Sequence, residues 1–306
     1  MKFIDLFAGI GGMRLAFEDF GTCVFSSEID KKACDTYQLN FGERPHGDIT
    51  KIDAKDIPDH DILLAGFPCQ AFSMAGKRLG FEDARGTMFF EIARILREKK
   101  PRAFLLENVK GLTHKPFRRE FTTILNILDE LGYNVEWKVL SSKGLVPQNR
   151  ERVYIVGMDR IVNFLKFEWP ILPDKGPPVK SILEDNADDK YTLPDGTWNH
   201  FQRKKEKYGH GKSGGFSYNI LDLETYGRTL LTKDISNNLI FQEEKNPRQF
   251  TTRECARYQG FPETFKIPDN LGKETTYKQF GNSVAVPVVN RIAKQMMKAL
   301  ERVPFS

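Results

Sequence analysis

The stretch Phe3-Ile4-Asp5-Leu6-Phe7-Ala8-Gly9-Ile10-Gly11-Gly12 joins a short apolar, aromatic run to three glycines spaced G-x-G-G. The run reads as a strand and the residues behind the glycines as a helix. Glycines at such a junction let the backbone approach a ligand closely, and the helix N-terminus favours negative groups. The spacing departs from the G-x-G-x-x-G of dinucleotide binders, so a nucleoside without a pyrophosphate suits the loop better than NAD. S-adenosylmethionine is such a nucleoside. Roughly 20 residues on, where a second strand ends, stands Glu28, placed to bond ribose hydroxyls. Asp48, in Gly47-Asp48-Ile49, is expected where a third strand ends, at the crevice edge, accepting a bond from an adenine amino group. The plainer alternative is a glycine-tight turn with two surface acids.

Further strands are expected at 23–27, 61–65, 103–107 and 153–157. Between them Met88, Ile92 and Ile95, and then Phe121, Ile124, Leu125 and Leu128, recur at helical spacing. Strands alternating with helices predict the α/β class with a mostly parallel sheet. The alternation stops near Trp169, and a proline-rich stretch, Pro170-Ile171-Leu172-Pro173-Asp174-Lys175-Gly176-Pro177-Pro178, follows as a linker. Residues 176–250 are polar, glycine-dotted and irregular. Regular patterning returns at 252–258 and ends in a helix whose apolar face is Val288, Val289, Ile292, Met296 and Leu300. The expected division is 1–175 as one domain, 176–250 as a smaller inserted one, and 251–306 as a return to the first. At about 150 residues per domain, 306 residues fit two.

Composition narrows the classes. At 40% hydrophobic and 28% charged residues the chain is too apolar for disorder. No apolar run approaches the roughly 18 residues of a membrane span, and an acid as early as Asp5 leaves no apolar region for a signal peptide. The four cysteines form no C-x-x-C pair, so neither a zinc site nor a disulfide framework is expected, and a reducing cytoplasm fits. A net charge of +5 permits a polyanionic partner without demanding one.

Three further elements carry chemistry. Gly66-Phe67-Pro68-Cys69-Gln70-Ala71-Phe72-Ser73 puts Cys69 at the carboxyl end of a strand, where open α/β sheets bind ligands. Pro68 fixes the backbone beside it. Leu106-Glu107-Asn108-Val109 ends another strand in a carboxylate. Gln148-Asn149-Arg150-Glu151-Arg152 leads into a strand, where alternation sets Arg150 and Arg152 on one face. Taken singly these are a buried thiol, a surface acid and a charged edge strand.

Together the blocks F-I-D-L-F-A-G-I-G-G, G-F-P-C-Q-A-F-S, E-N-V, Q-N-R-E-R, T-x-R-E-C-A-R (251–257), Q-G-F-P (259–262) and G-N-S-V (281–284) resemble, in order, the DNA cytosine-5 methyltransferases. The resemblance covers residues 1 to about 160 and 248–306. It implies a Rossmann-like methyltransferase domain, S-adenosylmethionine as donor, and a target-recognition region in the intervening segment. It further implies Cys69 as the nucleophile that adds to cytosine carbon 6, making carbon 5 an enamine carbon able to take the methyl. A thiolate forms more readily near cations such as Arg150 and Arg152. Glu107, behind the apolar Phe104-Leu105-Leu106, would bond ring nitrogen 3, and a partly dry setting would favour its protonated form. Arg152 would hold the cytosine carbonyl and Arg150 would support the cysteine loop. The cofactor set carried over is Phe7 stacking on adenine, Gly9, Gly11 and Gly12 along the methionine end, Glu28 at the ribose with Ile29 next to it in the set, Asp48 and Ile49 at the adenine, Pro68, and Asn282 and Val284 reaching the methionine portion from the returning segment.

The target base is stacked in a duplex, so this chemistry requires flipping it out. Ser73, Lys77 and Arg78, in the loop after Cys69, suit phosphates. Ala75 departs from relatives that carry serine there. Arg203, Lys204 and Lys205 are expected on phosphates, Lys212, Ser213, Lys233 and Asp234 in loops reading base edges, and Thr229 on the flipped nucleotide's backbone. The partner expected is double-stranded DNA, with a restriction endonuclease as an independent companion, no membrane, no metal, and a monomeric enzyme. The rival readings are a transfer-RNA methyltransferase, whose C-F-T-x-x-Y motif is absent here, a catalytically dead DNA-binding homologue, and an NAD enzyme.

Overall fold

The computed structural model describes residues 1–68, 88–160, 167–208, 218–232 and 238–301. In chain order the first half runs β1 (Lys2–Leu6), α1 (Gly12–Phe17), β2 (Thr22–Ser27), α2 (Lys31–Phe41), β3 (Ile62–Gly66), α3 (Met88–Lys99), β4 (Ala103–Val109), α4 (Arg118–Glu130) and β5 (Tyr133–Ser141). Then come β6 (Gln148–Asn149), β7 (Glu151–Asp159), α5 (Asp195–Tyr208), β8 (Gly227–Arg228), α6 (Thr252–Tyr258), α7 (Lys273–Asn282) and α8 (Val286–Glu301). The chain forms two compact units. One comprises Met1–Ser141, Glu151–Ile171 and Val288–Ser306, and the other Ser142–Arg150 and Leu172–Pro287.

The first unit is built on a six-stranded sheet in the order β2-β1-β3-β4-β7-β5. The β1–β2, β1–β3 and β3–β4 pairs are parallel, and β7 runs antiparallel to both β4 and β5. The sheet is therefore mixed at one edge and parallel elsewhere. Strands β1, β3 and β4 are buried on both faces, which is why their sequences read as continuous apolar runs. Ile4, Leu6, Leu63, Ala65, Phe104, Leu106, Val153 and Ile155 share one core with Phe89, Ile92 and Leu96 of α3 and Phe121, Ile124 and Leu128 of α4. Gly157 of β7 lies opposite Phe104, and any Cβ there would collide with the Phe104 ring. That ring also meets Tyr133 edge-on at 5.0 Å. Val288, Val289, Ile292, Met296 and Leu300 form the buried face of α8, and the Asn290 amide donates to the carbonyl of Ala16 at 3.0 Å.

One strand goes unread in the sequence, and one expected strand end is absent. Strand β5 is not legible as a strand, because its exposed centre, Glu136-Trp137-Lys138, breaks any apolar run. No strand ends at Asp48 either. The residue instead caps a short 3-10 turn, Ile49–Lys51, while His46 makes a single bridge to Ser27.

The second unit has little regular structure. Leu193, Phe201 and Leu239 form a small core with Trp198 and Tyr218 beside them. Helices α6 and α7, grouped with the catalytic return in the sequence reading, lie in this unit by their contacts. Arg248 pairs with the buried Glu254 of α6 through both carboxylate oxygens, at 2.7 and 2.8 Å. Glu254 also completes a capping box with Thr251 and accepts from the Glu184 amide at 2.8 Å. Among the described residues no helix is long and apolar enough to cross a membrane.

Candidate active site

The order β2-β1-β3 reverses direction at β1, and the carboxyl ends of β1 and β3 flank that switch point, where open α/β sheets bind ligands. The chain leaves β1 through Phe7, whose φ of 56° is a left-handed conformation rare for a bulky residue. Gly9 (φ 56°) and Gly11 (φ 86°) continue the turn into α1. An added Cβ on Gly9 would meet nothing within 4 Å among the described residues, whereas on Gly11 it would strike Phe41. Gly9 thus has no described residue over its Cβ position, and Gly11 is a packing requirement.

Glu28 closes this loop from the end of β2. One carboxylate oxygen accepts from the Gly9 amide at 2.8 Å and the other from the Asp30 amide at 2.7 Å. Ile29 beside it is 73% exposed. The Asp48 carboxylate accepts from both the amide and the hydroxyl of Thr50, at 3.1 and 2.7 Å, which holds its pKa below the ordinary range. Ile49 is buried. Under the loop lies Asp5, missed in the sequence reading. One of its oxygens accepts from the Arg14 amide at 3.2 Å and the other has no hydrogen-bond partner among the described residues. Burial pushes its pKa up to about 7.

On the other side of the switch point, β3 ends in Gly66, which pairs with Glu107 of β4. Glu107 is 8% exposed, and one carboxylate oxygen lies 3.7 Å from the Cβ position of Gly66. Tyr154 of β7 lies opposite Glu107, so Arg152 is its diagonal neighbour on the same face. The Arg152 guanidinium Nε is 3.1 Å from the Glu107 carboxylate. Acid and cation are thus brought together, although they lie in distant blocks of sequence. Asn108, in the same E-N-V block, donates to the carbonyl of Phe67 at 3.0 Å. It fixes the backbone just before Pro68, a role that residue type and position alone did not reveal.

Arg150 does not share a strand face with Arg152. The ladder breaks at Arg150, between β6 and β7. Its buried guanidinium donates to the carbonyls of Leu230, Gly281 and Ser283, all in the second unit. Those last two flank the exposed Asn282, and Val284 is buried. The Thr229 hydroxyl donates to the Asn149 carbonyl at 2.8 Å. Arg203 is exposed and Lys204 half-buried on α5, which also carries Lys205. Cys69, Ser73, Lys77, Arg78, Lys212, Ser213, Lys233 and Asp234 lie outside the described residues.

A sheet parallel across its switch point, a glycine loop there, an acid at the end of β2 and no described residue over Gly9 fit a Rossmann-like methyltransferase fold, and these residues fit an S-adenosyl nucleoside. The chain belongs to the C-5 cytosine-specific DNA methylase family, whose model matches residues 1–298. It is 55% identical to the Type II methyltransferase M1.ScrFI of Lactococcus lactis subsp. cremoris, over 98% of this chain and 79% of that protein. It is 51% identical to the Type II methyltransferase M.NlaX of Neisseria lactamica, over 99% of this chain and 98% of that one. The fold resembles the crystal structure of the S. pombe Dnmt2 methyltransferase with a TM-score of 0.76 and 22% identity, over all of this chain and 99% of that one. The family's reaction is transfer of a methyl group from S-adenosylmethionine to carbon 5 of cytosine.

Proposed function

We propose that this chain methylates a flipped-out cytosine within a short specific sequence of duplex DNA, as the modification partner of a restriction endonuclease that acts independently, and that it works in the cytoplasm as a monomer. The observation that carries the catalytic part is the Glu107–Arg152 pair at 3.1 Å, held at the strand ends beside Gly66 and Pro68. Arg152 donates to the cytosine carbonyl and the protonated carboxyl of Glu107 donates to ring nitrogen 3, so negative charge building on the ring during addition is met by prepositioned donors. The Cys69 thiolate adds to carbon 6, which places an electron pair at carbon 5. S-adenosylmethionine, when bound, would supply an electrophilic sulfonium methyl to carbon 5, the methyl–sulfur bond breaking to leave S-adenosylhomocysteine. Loss of the carbon 5 proton then expels the Cys69 thiolate and restores the aromatic ring.

Phe7 offers apolar surface to the adenine, Glu28 with its neighbour Ile29 faces the ribose, and Gly9 leaves room for the methionine end in the turn that Gly11 and Gly12 complete. Asp48, Ile49, Asn282 and Val284 complete the set. Arg150 supports the segment that carries Asn282 and Val284, because its guanidinium donates to the carbonyls of Gly281 and Ser283. Residues 176–250 read the DNA, with Thr229 against the flipped nucleotide's backbone. Methyl transfer from labelled S-adenosylmethionine to duplex DNA and to transfer RNA, followed by bisulfite sequencing, tests the reading. Label in duplex DNA at one short sequence supports it, and label in transfer RNA alone overturns it.

A further inference from the structure

The segment expected at the DNA and the segment expected at the cofactor are tied together inside the second unit by groups that neither role requires. Gln148 and Gln259 are both 0% exposed. A buried primary amide is costly unless every group is bonded, and these two are bonded to one another and to both segments. The Gln148 side-chain oxygen accepts from the Leu230 amide at 2.8 Å. Its nitrogen donates to the Tyr258 carbonyl at 2.9 Å and to the Gln259 side-chain oxygen at 3.2 Å. The Gln259 nitrogen then donates to the Phe280 carbonyl at 2.7 Å. An unbroken relay therefore runs from Leu230, next to Thr229, to Phe280, two residues before Asn282.

A second bridge runs beside it. Arg150 bonds the Leu230 carbonyl at 3.4 Å and the carbonyls of Gly281 and Ser283. Leu230 is thus gripped on both backbone groups, and both grips lead to 280–283. The segments also touch directly, since a Cβ on Gly281 would lie 3.0–3.1 Å from the backbone of Leu231 and Thr232. We propose that Gln148 and Gln259 are positioning residues that make 227–232 and 280–284 one mechanical body, so that cofactor occupancy and DNA reading are coupled through it. This rests on the proposed placement of Thr229 at DNA and of Asn282 and Val284 at the cofactor.

Amide hydrogen exchange on the full chain, with and without S-adenosylhomocysteine and in the absence of DNA, tests it. Exchange should slow at 9–12 and 280–284 and also, by about fivefold or more, at 227–232, while 195–204 of α5 in the same unit stays unchanged. In Gln148→Glu the carboxylate still accepts from Leu230 but has no donor for Tyr258 or Gln259. There the response at 227–232 should vanish while 9–12 and 280–284 still slow. Slowing at 280–284 without slowing at 227–232 in the wild-type protein overturns the proposal and needs no variant. Equal slowing at 195–204 overturns it as well, because that is general stabilisation. A Gln148→Glu protein that responds as the wild type does removes the relay. No slowing at 9–12 or 280–284 overturns the cofactor placement itself.

Discussion

Gly9 and Gly11 both have positive φ, yet substitution should separate them. A side chain at such a φ costs about 1–2 kcal/mol. Gly11→Ala adds a collision with Phe41, so its melting temperature should fall well below that of Gly9→Ala. Gly9→Ala adds a methyl where no described residue stands, so it should remain folded and lose affinity for S-adenosylhomocysteine in calorimetric titration. Equal affinity to the wild type would remove Gly9 from the cofactor site. Asp5 gives a prediction in pH. Its folded pKa of about 7 lies above the ordinary carboxylate value near 4. Between those values the folded chain binds more protons than the unfolded one, so this group's contribution to stability is full below about pH 4 and is lost as pH rises through about pH 7. Asp5→Asn should therefore gain in melting temperature relative to the wild type as pH rises across that window. A gap independent of pH would contradict the assignment. The sequence showed Glu28 by its distance from the glycines, but not Asp5, which in F-I-D-L-F looks like one more residue of a strand.

At the scale of elements, pairing decides what alternation cannot. Periodicity located β1, β3, β4 and the buried face of α8, because those segments bury whole apolar runs. It missed the edge strand β5, whose place comes from its ladder to β7. It also joined Arg150 to Arg152, whereas the strand breaks between them and each turns to different partners. Helix α6 rests on pairing too, the local Arg248–Glu254 pair together with the long-range bonds of Glu184 to Glu254 and Thr251. Removing one partner of a buried pair leaves a charge without compensation, worth about 3–5 kcal/mol. Arg248→Ala should lose stability of that order in urea unfolding, and a loss below about 1 kcal/mol would show that the pair holds little.

At the scale of the molecule, ordered blocks of sequence made the family legible, while the inserted segment gave only its character. Its glycines, cations and scattered aromatics carry no period, so neither α5 nor its small core could be placed. If that segment reads the DNA, exchanging 176–250 for a relative's should transfer the relative's target sequence, provided the graft supplies partners for Glu254 at 184 and 248. An active chimera that keeps the original target would place specificity elsewhere. Replacing Arg203, Lys204 and Lys205 by alanine should weaken binding to all DNA and lower the slope of affinity against salt by roughly 0.9 for each phosphate no longer neutralised. A change in target with an unchanged slope would make them base readers. The central claim is covalent catalysis by Cys69, and it is tested most directly with duplex DNA carrying 5-fluorocytosine in the target sequence, incubated with S-adenosylmethionine. Fluorine cannot leave as a proton does, so the wild-type chain should remain attached to the DNA through denaturing electrophoresis, with peptide mapping placing the link at Cys69. Cys69→Ala should form no adduct while still binding S-adenosylhomocysteine, and an adduct of undiminished yield in that variant would contradict the account.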